Sequence, residues 1–260
     1  MTLNAKGFGE QLELPEFNSG KPVWIIRAGV GFNGTVGSAK ETQNVIWENL
    51  DWEGSFKSTE GYDVSFGFNK SFGNHPLYWG MDVAMGMRGY RSDSEYHYSK
   101  RQSSGVYDKV DKTEDITLRS FNARLTPITI GYKYKFLDRM AADVHVGAYA
   151  SYDFAGSYIK ETSVNQWTSS KYGNKGHKSS NKKSVAIKDM DNMHKYDVGI
   201  NVGVGYWFGH FNIDFTWQRG FVPIYEGGDK VIEVGDKKTD KREAGNFYSN
   251  NFQLRLGYAF

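Results

Sequence analysis

Apolar side chains occupy every second position in eight separate stretches of this chain, and this alternation restricts the fold more than any other feature. The last stretch, FQLRLGYAF, is typical: between its polar or small residues stand Phe252, Leu254, Leu256, Tyr258 and Phe260. A period of two belongs to a β-strand, because successive side chains leave the backbone on opposite faces. The chain is therefore predicted to be all-β, with one apolar and one polar face along each strand.

The connections between the predicted strands alternate between short and long. The strands begin near Val23, Tyr62, Leu77, Phe121, Ala142, Tyr196, Phe211 and Phe252. Three connections span a few residues, and four long ones occupy about 33–61, 91–119, 155–195 and 219–250. An up-and-down antiparallel order then places all short turns on one side and all long loops on the other. The alternation changes parity at Pro127, where a bulge is expected.

Alternation alone permits two architectures, a soluble barrel or sandwich with an apolar interior and a membrane barrel with its apolar face toward lipid. Glycine is frequent on the polar face, where it leaves room for long neighbours inside a narrow barrel. Tyr, Trp and Phe gather toward the strand ends, as at the two headgroup levels of a bilayer. Strands of about nine to eleven residues match a tilted bilayer crossing. We therefore predict an eight-stranded antiparallel up-and-down transmembrane β-barrel with four long extracellular loops and three short periplasmic turns.

Composition excludes several classes of protein. The chain has no cysteine, so disulfides, thiolate metal sites and thiol catalysis are excluded. A net charge of +2 over 260 residues gives no reason to expect nucleic acid as a partner. No apolar run of 18 residues is present, which excludes a membrane-spanning helix. Residues 1–21 lack the basic start and apolar run of a secretory signal, so either the chain is cytoplasmic or its signal has been removed.

Three of the strands resemble a known family. FQLRLGYAF, DVGINVGVGYWFG and PITIGYKYKF are similar to strands of the small eight-stranded outer-membrane proteins of Gram-negative bacteria, the OmpX/Ail-like, OmpW-like and OmpA-barrel group. The resemblance covers about residues 22–260 and implies a location in the outer membrane, with the signal removed and 1–21 forming a periplasmic segment. It also implies that Tyr258 and Phe260 serve as a signal for the barrel-insertion machinery. It implies little about activity.

The polar face carries charges of both signs, which in a low-dielectric interior must pair or be hydrated. We predict a network that fills the lumen, formed by Arg27, Asp63, Asp82, Arg88, Asp143, His145, Asp197, Asp214 and Arg255. Lys133, Lys135 and Asp153 share this face. The alternative is a narrow porin-like channel for water, ions or small solutes, in which the same network acts as the gate.

An enzyme is the third hypothesis, because lipid A-modifying enzymes also occur on eight-stranded barrels. Asp143, His145 and Ser151 share the inward face, but residues two apart are not expected to bond directly, and the serine lies roughly 20 Å further along the strand. Cross-strand partners could supply the missing contact. The remaining histidines lack metal-ligand spacing and are expected to be solvated in turns and loops. These histidines are His75, His97, His177, His194 and His210. No metal and no cofactor are predicted.

The third long connection is rich in lysine. A basic outer loop could bind lipopolysaccharide phosphates, an extracellular glycan or a protein ligand, whereas the alternative is a solvated loop without a ligand. The candidate binding residues are Lys171, Lys175, Lys178, Lys182, Lys183 and Trp167. We therefore predict a non-enzymatic monomer, structural or surface-binding through its loops, in contact with outer-membrane lipids. An accessory role in a larger complex is left open.

Overall fold

The computed structural model describes residues 13–17, 19–49, 52–101, 106–170, 173–225, 231–233, 241–243 and 245–260. The described residues form twelve strands and one α-helix. In chain order these are β1 (Pro22–Val36), α1 (Ser38–Asn49), β2 (Trp52–Lys57), β3 (Thr59–Ser71), β4 (Leu77–Arg101), β5 (Tyr107–Leu137), β6 (Met140–Ser170), β7 (Gly173–Ala186), β8 (Tyr196–Phe208), β9 (Phe211–Gly220), β10 (Val231–Glu233), β11 (Lys241–Glu243) and β12 (Tyr248–Ala259). No helix within these ranges is long and apolar enough to cross a membrane.

Eight strands close into an antiparallel barrel in the order β1, β3, β4, β5, β6, β8, β9 and β12. The first and last strands form the seam, where Ile26 of β1 lies opposite Tyr258 of β12. On its other side β1 pairs with β3, so that Ile26 also lies opposite Phe66. Closure places the backbone polar groups of the wall in hydrogen-bonded ladders, as hydrocarbon requires. The predicted eight-stranded up-and-down barrel is confirmed.

The apolar face of the barrel points outward. Phe32 is 64% exposed and Leu256 is 65% exposed, whereas Ile25, Asp63 and Asp214 are buried. A soluble barrel or sandwich would show the reverse arrangement. The outward apolar face confirms the membrane architecture and rules out the soluble alternative.

The predicted bulge at Pro127 is present. On β5 the register to β6 shifts between Leu125, which lies opposite Ala150, and Ile128, which lies opposite Ala148. Leu125 and Ile128 are three positions apart, so regular alternation would place them on opposite faces. The register shift keeps both on the lipid side. The parity change therefore has the physical cause expected from the sequence.

The strands of the barrel are joined by short turns at one end, at 72–76, 138–139 and 209–210. At the other end, two of the four long connections continue the strands. Strands β4 and β5 remain paired as far as Arg101 and Tyr107, and β7 folds back antiparallel along β6. β2 pairs with the outer part of β4. Together β2, residues 89–101 of β4, 107–120 of β5, 156–170 of β6 and β7 form a five-stranded layer, here called the elevated sheet.

The first long connection also contains α1, a helix that the strand alternation gave no reason to expect. Its sequence, SAKETQNVIWEN, follows Gly37, and its residue Ala39 is buried. The backbone of Ala39 donates to the carbonyl of Asn246, 3.3 Å away, just before β12. The helix is thus attached to the fourth connection at the outer end of the barrel.

Candidate functional site

Charged side chains fill the lumen in pairs, and the structure places all nine predicted network residues on the inward face. Near the outer end, Arg88 forms ion pairs with Asp153 and with Asp197, whose oxygen is 3.3 Å away. Asp197 also accepts hydrogen bonds from Ser249 at 2.7 Å and Tyr149 at 3.1 Å. Because these groups are buried, this layer binds β4, β6, β8 and β12 together through polar contacts.

A second layer lies in the middle of the barrel and is centred on Arg255. Its guanidinium is 2.6 Å from Asp214 and 3.7 Å from Asp63. Asp63 also pairs with Arg124 at 2.5 Å, and Arg124 donates to Gln218. Sequence reasoning overlooked Arg124, although its position between outward-facing Ala123 and Leu125 was a sufficient signal.

The long inward side chains of these layers lie opposite glycines on the neighbouring strand. The register pairs Arg27 with Gly257, Arg255 with Gly29, Tyr78 with Gly131, His145 with Gly203 and Asp143 with Gly205. A Cβ at most of these glycines would come closer to the opposite side chain than packing allows. Glycine therefore provides the space that lets an eight-stranded barrel hold a charged network.

The short-turn end of the lumen is closed by apolar and aromatic side chains. Val23, Ile25, Ala141, Trp207 and Ala259 form a buried cluster, and Leu14 and Phe17 of the N-terminal segment pack against it. The rings of Phe17 and Trp207 meet edge to face at 4.8 Å. Leu14 and Phe17 therefore contact this end of the barrel. That residues 1–21 form a periplasmic segment stays a prediction.

A second cluster closes the outer end. Its buried members are Tyr90, Leu118, Ile187, Met193 and Ile224, which lie in or beside the second, third and fourth long connections. Partly buried residues, including Phe56 of the first connection and Phe247 of the fourth, pack on them. Phe56 and Phe247 contact Tyr90 through their rings, at 6.2 and 5.7 Å. Burial raises the pKa of Tyr90, whose hydroxyl donates to that of Tyr225 at 3.2 Å. We call this cluster the outer lid.

Between the two clusters the free space is small. A cavity of about 30 Å³ lies among Arg27, Tyr78, Asp82, His145 and Arg255. This volume is close to that of one water molecule. Polar and charged side chains around this cavity thus occupy the middle of the lumen.

His145 is the residue on which an enzymatic reading would depend. Its Nδ1 is 2.9 Å from an oxygen of Asp143, so the expectation that residues two apart would not bond directly is wrong. Both side chains leave β6 on the same face, so the carboxylate of Asp143 can reach along the strand to the ring. Its Nε2 lies 3.5 Å from Asp214. Ser151 is not among the described contacts of the ring, and His145 is held between two carboxylates.

Lys135 lies opposite buried Ala141 at the short-turn end of the lumen. Its side chain is 57% exposed there, and its ammonium is 3.4 Å from Asp138. One further expectation about polar residues is wrong. His210 is buried, not solvated, because its Nδ1 contacts the carbonyl of Ala259 at 2.6 Å at the seam. Among the described residues there is no group of three or more histidines and acids that could hold a metal ion.

The elevated sheet separates the candidate binding residues onto two faces. The inner face continues the lumen side and carries Lys183, whereas the outer face continues the lipid side and carries Trp167, Lys178 and Lys182. Lys182 forms an ion pair with Glu161, and Lys109 lies over the ring of Trp167 at 5.2 Å. Lys175 occupies the position opposite Thr168, and Lys171 lies outside the described residues.

The predicted insertion residues lie in an aromatic group at the short-turn end. Phe260 is 51% exposed, its ring is 6.3 Å from that of Phe66, and its backbone donates to the carbonyl of Trp24. Tyr258 stacks with His210 at 5.8 Å. These rings are placed where a membrane interface would be.

Comparison with known proteins gives the family of this chain. No curated protein is detectably similar in sequence. Among solved structures, the chain is similar to Neisserial surface protein A (10% identity, TM-score 0.31, covering 91% of this chain and 97% of that one). It is also similar to Ail of Yersinia pestis (10% identity, TM-score 0.28, covering 92% of this chain and 99% of that one). The outer membrane protease OmpT from Escherichia coli is similar as well (12% identity, TM-score 0.30, covering 96% of this chain and 100% of that one).

The sequence itself carries the stronger match. A family model described as outer membrane protein beta-barrel domain matches residues 17–226, which is most of the chain. The outward apolar face, the closed eight-stranded wall and this match agree. The chain belongs to the outer membrane protein beta-barrel domain family and is located in the bacterial outer membrane.

Proposed function

We propose that this protein is a non-enzymatic outer-membrane barrel whose lumen is structural and whose elevated sheet binds an extracellular ligand. One observation carries the proposal: the lumen is closed at both ends, whereas β4 and β5 stay paired far beyond the outer lid. From Gly89 to Arg101 the strand rises about 40 Å, at about 3.3 Å per residue. A chain that only anchors itself in the membrane has no use for a sheet of this height.

The polar lumen supports a structural role. Its arginines are paired with carboxylates, its glycines are matched to long side chains, and its central cavity has room for about one water. Such a network holds the eight strands in register. A channel would need the two clusters and both charged layers to move aside together, which makes the porin-like alternative the weaker one.

The surroundings of His145 support a non-enzymatic role. Both ring nitrogens face carboxylates inside the barrel, so the imidazole has no described hydroxyl to activate. Lipid A would have to reach the middle of the lumen to meet it. A lipid-modifying activity therefore finds no support in this part of the barrel.

The lysines of β7 fit a role in attracting anions to the elevated sheet. β7 contains Lys175, Lys178, Lys182 and Lys183 and no acid, and its only described strand partner is β6. Lipopolysaccharide phosphates or an extracellular polyanion would be attracted to it. Lysines on an edge strand also prevent pairing with other sheets, which is a second reason for their presence.

Two partnerships follow from the membrane location. The exposed apolar belt, with residues such as Val30 and Leu256, would contact outer-membrane lipids. The aromatic terminus formed by Tyr258 and Phe260 would be read by the barrel-insertion machinery. A single closed barrel of this kind needs no second copy to satisfy its wall, so we propose a monomer.

The proposal is tested with the full chain in detergent micelles on an array carrying lipopolysaccharide, charged and neutral polysaccharides and matrix proteins. In a trimmed variant, short four-residue turns replace 92–116 and 160–183, which joins the pairs Arg91–Thr117 and Ile159–Ser184. We expect the full chain to bind a component of the array and the trimmed variant to lose that binding while keeping heat-dependent gel mobility. Equal binding by both proteins, or none by the full chain, would contradict the proposal.

A further inference from the structure

We infer that the inner face of the elevated sheet carries a binding site for an anionic polysaccharide, formed by Trp52, Tyr96, Tyr98 and Lys112. The inference rests on the proposed function, since it names the ligand class of the elevated sheet. It differs from the lysine-rich segment with Trp167 singled out in the sequence, because Trp167 lies on the opposite face.

The four residues are brought together by strand pairing. Trp52 of β2 lies opposite Tyr96 of β4, and Tyr96 lies opposite Lys112 of β5, so the three form one row across the sheet. The rings of Trp52 and Tyr96 are 5.8 Å apart and inclined by 27°. Those of Tyr96 and Tyr98 are 6.4 Å apart and inclined by 9°. Three nearly parallel rings therefore stand on one face.

The next row toward the barrel contains small residues on β2 and β4, where Gly54 lies opposite Ser94. The row continues on β5 with Glu114, which lies opposite Ser94. Beyond this row, Phe56 belongs to the outer lid. At the outer end of the group of rings, Tyr98 is 40% exposed.

The charges on the two faces differ in how completely they are paired. On the outer face, Lys57 and Arg91 both form ion pairs with Asp93. On the inner face, Lys160 pairs with Glu114 at 2.8 Å, whereas the described contact of the Lys112 ammonium is the ring of Trp52, 4.8 Å away. Lys183 is exposed, and within the described residues neither it nor Lys112 has a carboxylate partner. The inner face thus keeps positive charge available for an anion.

The surroundings of the rings favour a hydroxylated ligand. Thr162, Gln166 and Asn181 lie on the same face, on β6 and β7. The core of a protein–protein interface is apolar, whereas these side chains offer hydrogen bonds. The C–H groups of a pyranose ring pack on an aromatic face, and its sulfate or carboxylate groups would meet Lys112. A polysaccharide that carries both features fits this face better than a folded protein.

The test uses the full chain in nanodiscs of uncharged lipid, with dextran sulfate as the probe and neutral dextran and polyglutamate as comparisons, followed by isothermal titration calorimetry. Dextran sulfate is expected to bind more tightly than either comparison. Trp52→Ala and Tyr98→Ala are each expected to weaken binding about tenfold, as loss of one stacking ring does. Lys112→Gln is expected to weaken it about fivefold and to lower its salt dependence.

The opposite face provides a matched control, because Lys109 and Trp167 form the same kind of pair there. Trp167→Ala and Lys109→Gln are expected to leave the affinity unchanged, and Trp52→Phe, which keeps a ring, to retain most of it. Heat-dependent mobility and near-ultraviolet circular dichroism show that each variant is folded. If Trp52→Ala alone fails to fold, the affinities of Trp52→Phe, Tyr98→Ala and Lys112→Gln for dextran sulfate test the inference.

Three results would overturn the inference. These are equal binding of polyglutamate, equal binding of neutral dextran, and loss of binding in Trp167→Ala but not in the inner-face variants. If dextran sulfate does not bind while the array still shows binding that the trimmed variant loses, the polysaccharide site fails and the proposed function stands. If the trimmed variant binds its array component like the full chain, the proposed function itself fails.

Discussion

The ammonium of Lys133 lies 3.3 Å from the centre of the Phe17 ring, so a residue of the N-terminal segment covers a buried cation of the barrel wall. Trp207 and Tyr78 place their rings 4.1 and 5.0 Å from the same nitrogen. Among the described residues Lys133 Nζ has no hydrogen-bond partner. The three rings therefore contribute to its stabilisation.

Removing the ring of Phe17 should destabilise the barrel. Phe17→Ala is expected to lower the free energy of unfolding by about 1–3 kcal/mol, because apolar packing on Trp207 and the cation–π contact are both lost. Urea unfolding in lipid vesicles, followed by tryptophan fluorescence, measures the change. Lys133→Met removes the charge, and in that background Phe17→Ala should cost less. Equal losses in both backgrounds would show that the cation contributes nothing.

Arg88 should be far more important for stability than an exposed arginine. Arg88→Met leaves Asp153 and Asp197 buried without their cation and is expected to cost about 3–5 kcal/mol. Arg119 pairs with Glu60 at 3.2 Å on the surface, so Arg119→Ala should cost less than about 1 kcal/mol. Both values come from the same urea unfolding measurement. Similar costs for the two variants would mean that the lumen is well hydrated.

Inward glycines should not tolerate a methyl group. At position 203 an alanine Cβ would lie 2.9 Å from Thr216 Oγ1 and closer still to the His145 ring. Gly203→Ala is expected to lower stability by about 1–3 kcal/mol through overpacking. Gly176 in β7 is the control, because the nearest atom to its Cβ would be 3.8 Å away. The free energy of unfolding of Gly176→Ala should stay within about 0.5 kcal/mol of the unsubstituted value. An equally small change for Gly203→Ala would show that the lumen is less tightly packed than described.

The β4–β5 part of the elevated sheet should respond to pH through His97. A hydrogen bond with Asp111, 2.9 Å away, raises the pKa of His97 above its ordinary value of 6.5. A pKa raised by folding stabilises the folded state fully below the unfolded value and loses that contribution as pH rises through the folded pKa. NMR titration should show the raised pKa, and Asp111→Asn should lower it. Limited proteolysis of the hairpin should become faster from pH 6 to pH 8, and a rate independent of pH would contradict this account.

The barrel wall could be predicted from the sequence because apolar and polar side chains alternate along each of its strands. Alternation assigns the face of Ile26, Val30 or Leu256 without knowledge of any partner, and the parity change at Pro127 locates its own bulge. The charged lumen followed from the same rule. The rule also places Arg124 on the lumen side, between outward-facing Ala123 and Leu125.

The outer structures could not be predicted in this way, since they depend on contacts between connections that are distant in sequence. The outer lid gathers residues such as Phe56, Tyr90, Ile187 and Ile224, and nothing in the local pattern around any one of them indicates the others. The row of Trp52, Tyr96 and Lys112 exists only through strand pairing beyond the membrane. The bond between His145 and Asp143 depends on side-chain rotamers, which the alternation of the strand does not specify.

The central claim is that the lumen is filled and closed, so that the protein acts through its elevated sheet. The most direct measurement is the conductance of the purified full chain in planar lipid bilayers, over a range of salt concentrations and both signs of voltage, with an open porin as the positive control. The account predicts no discrete conductance steps from the full chain. Reproducible steps that disappear when Gly203 is replaced by Phe would contradict it, because they would show that ions pass through the charged layers of the lumen.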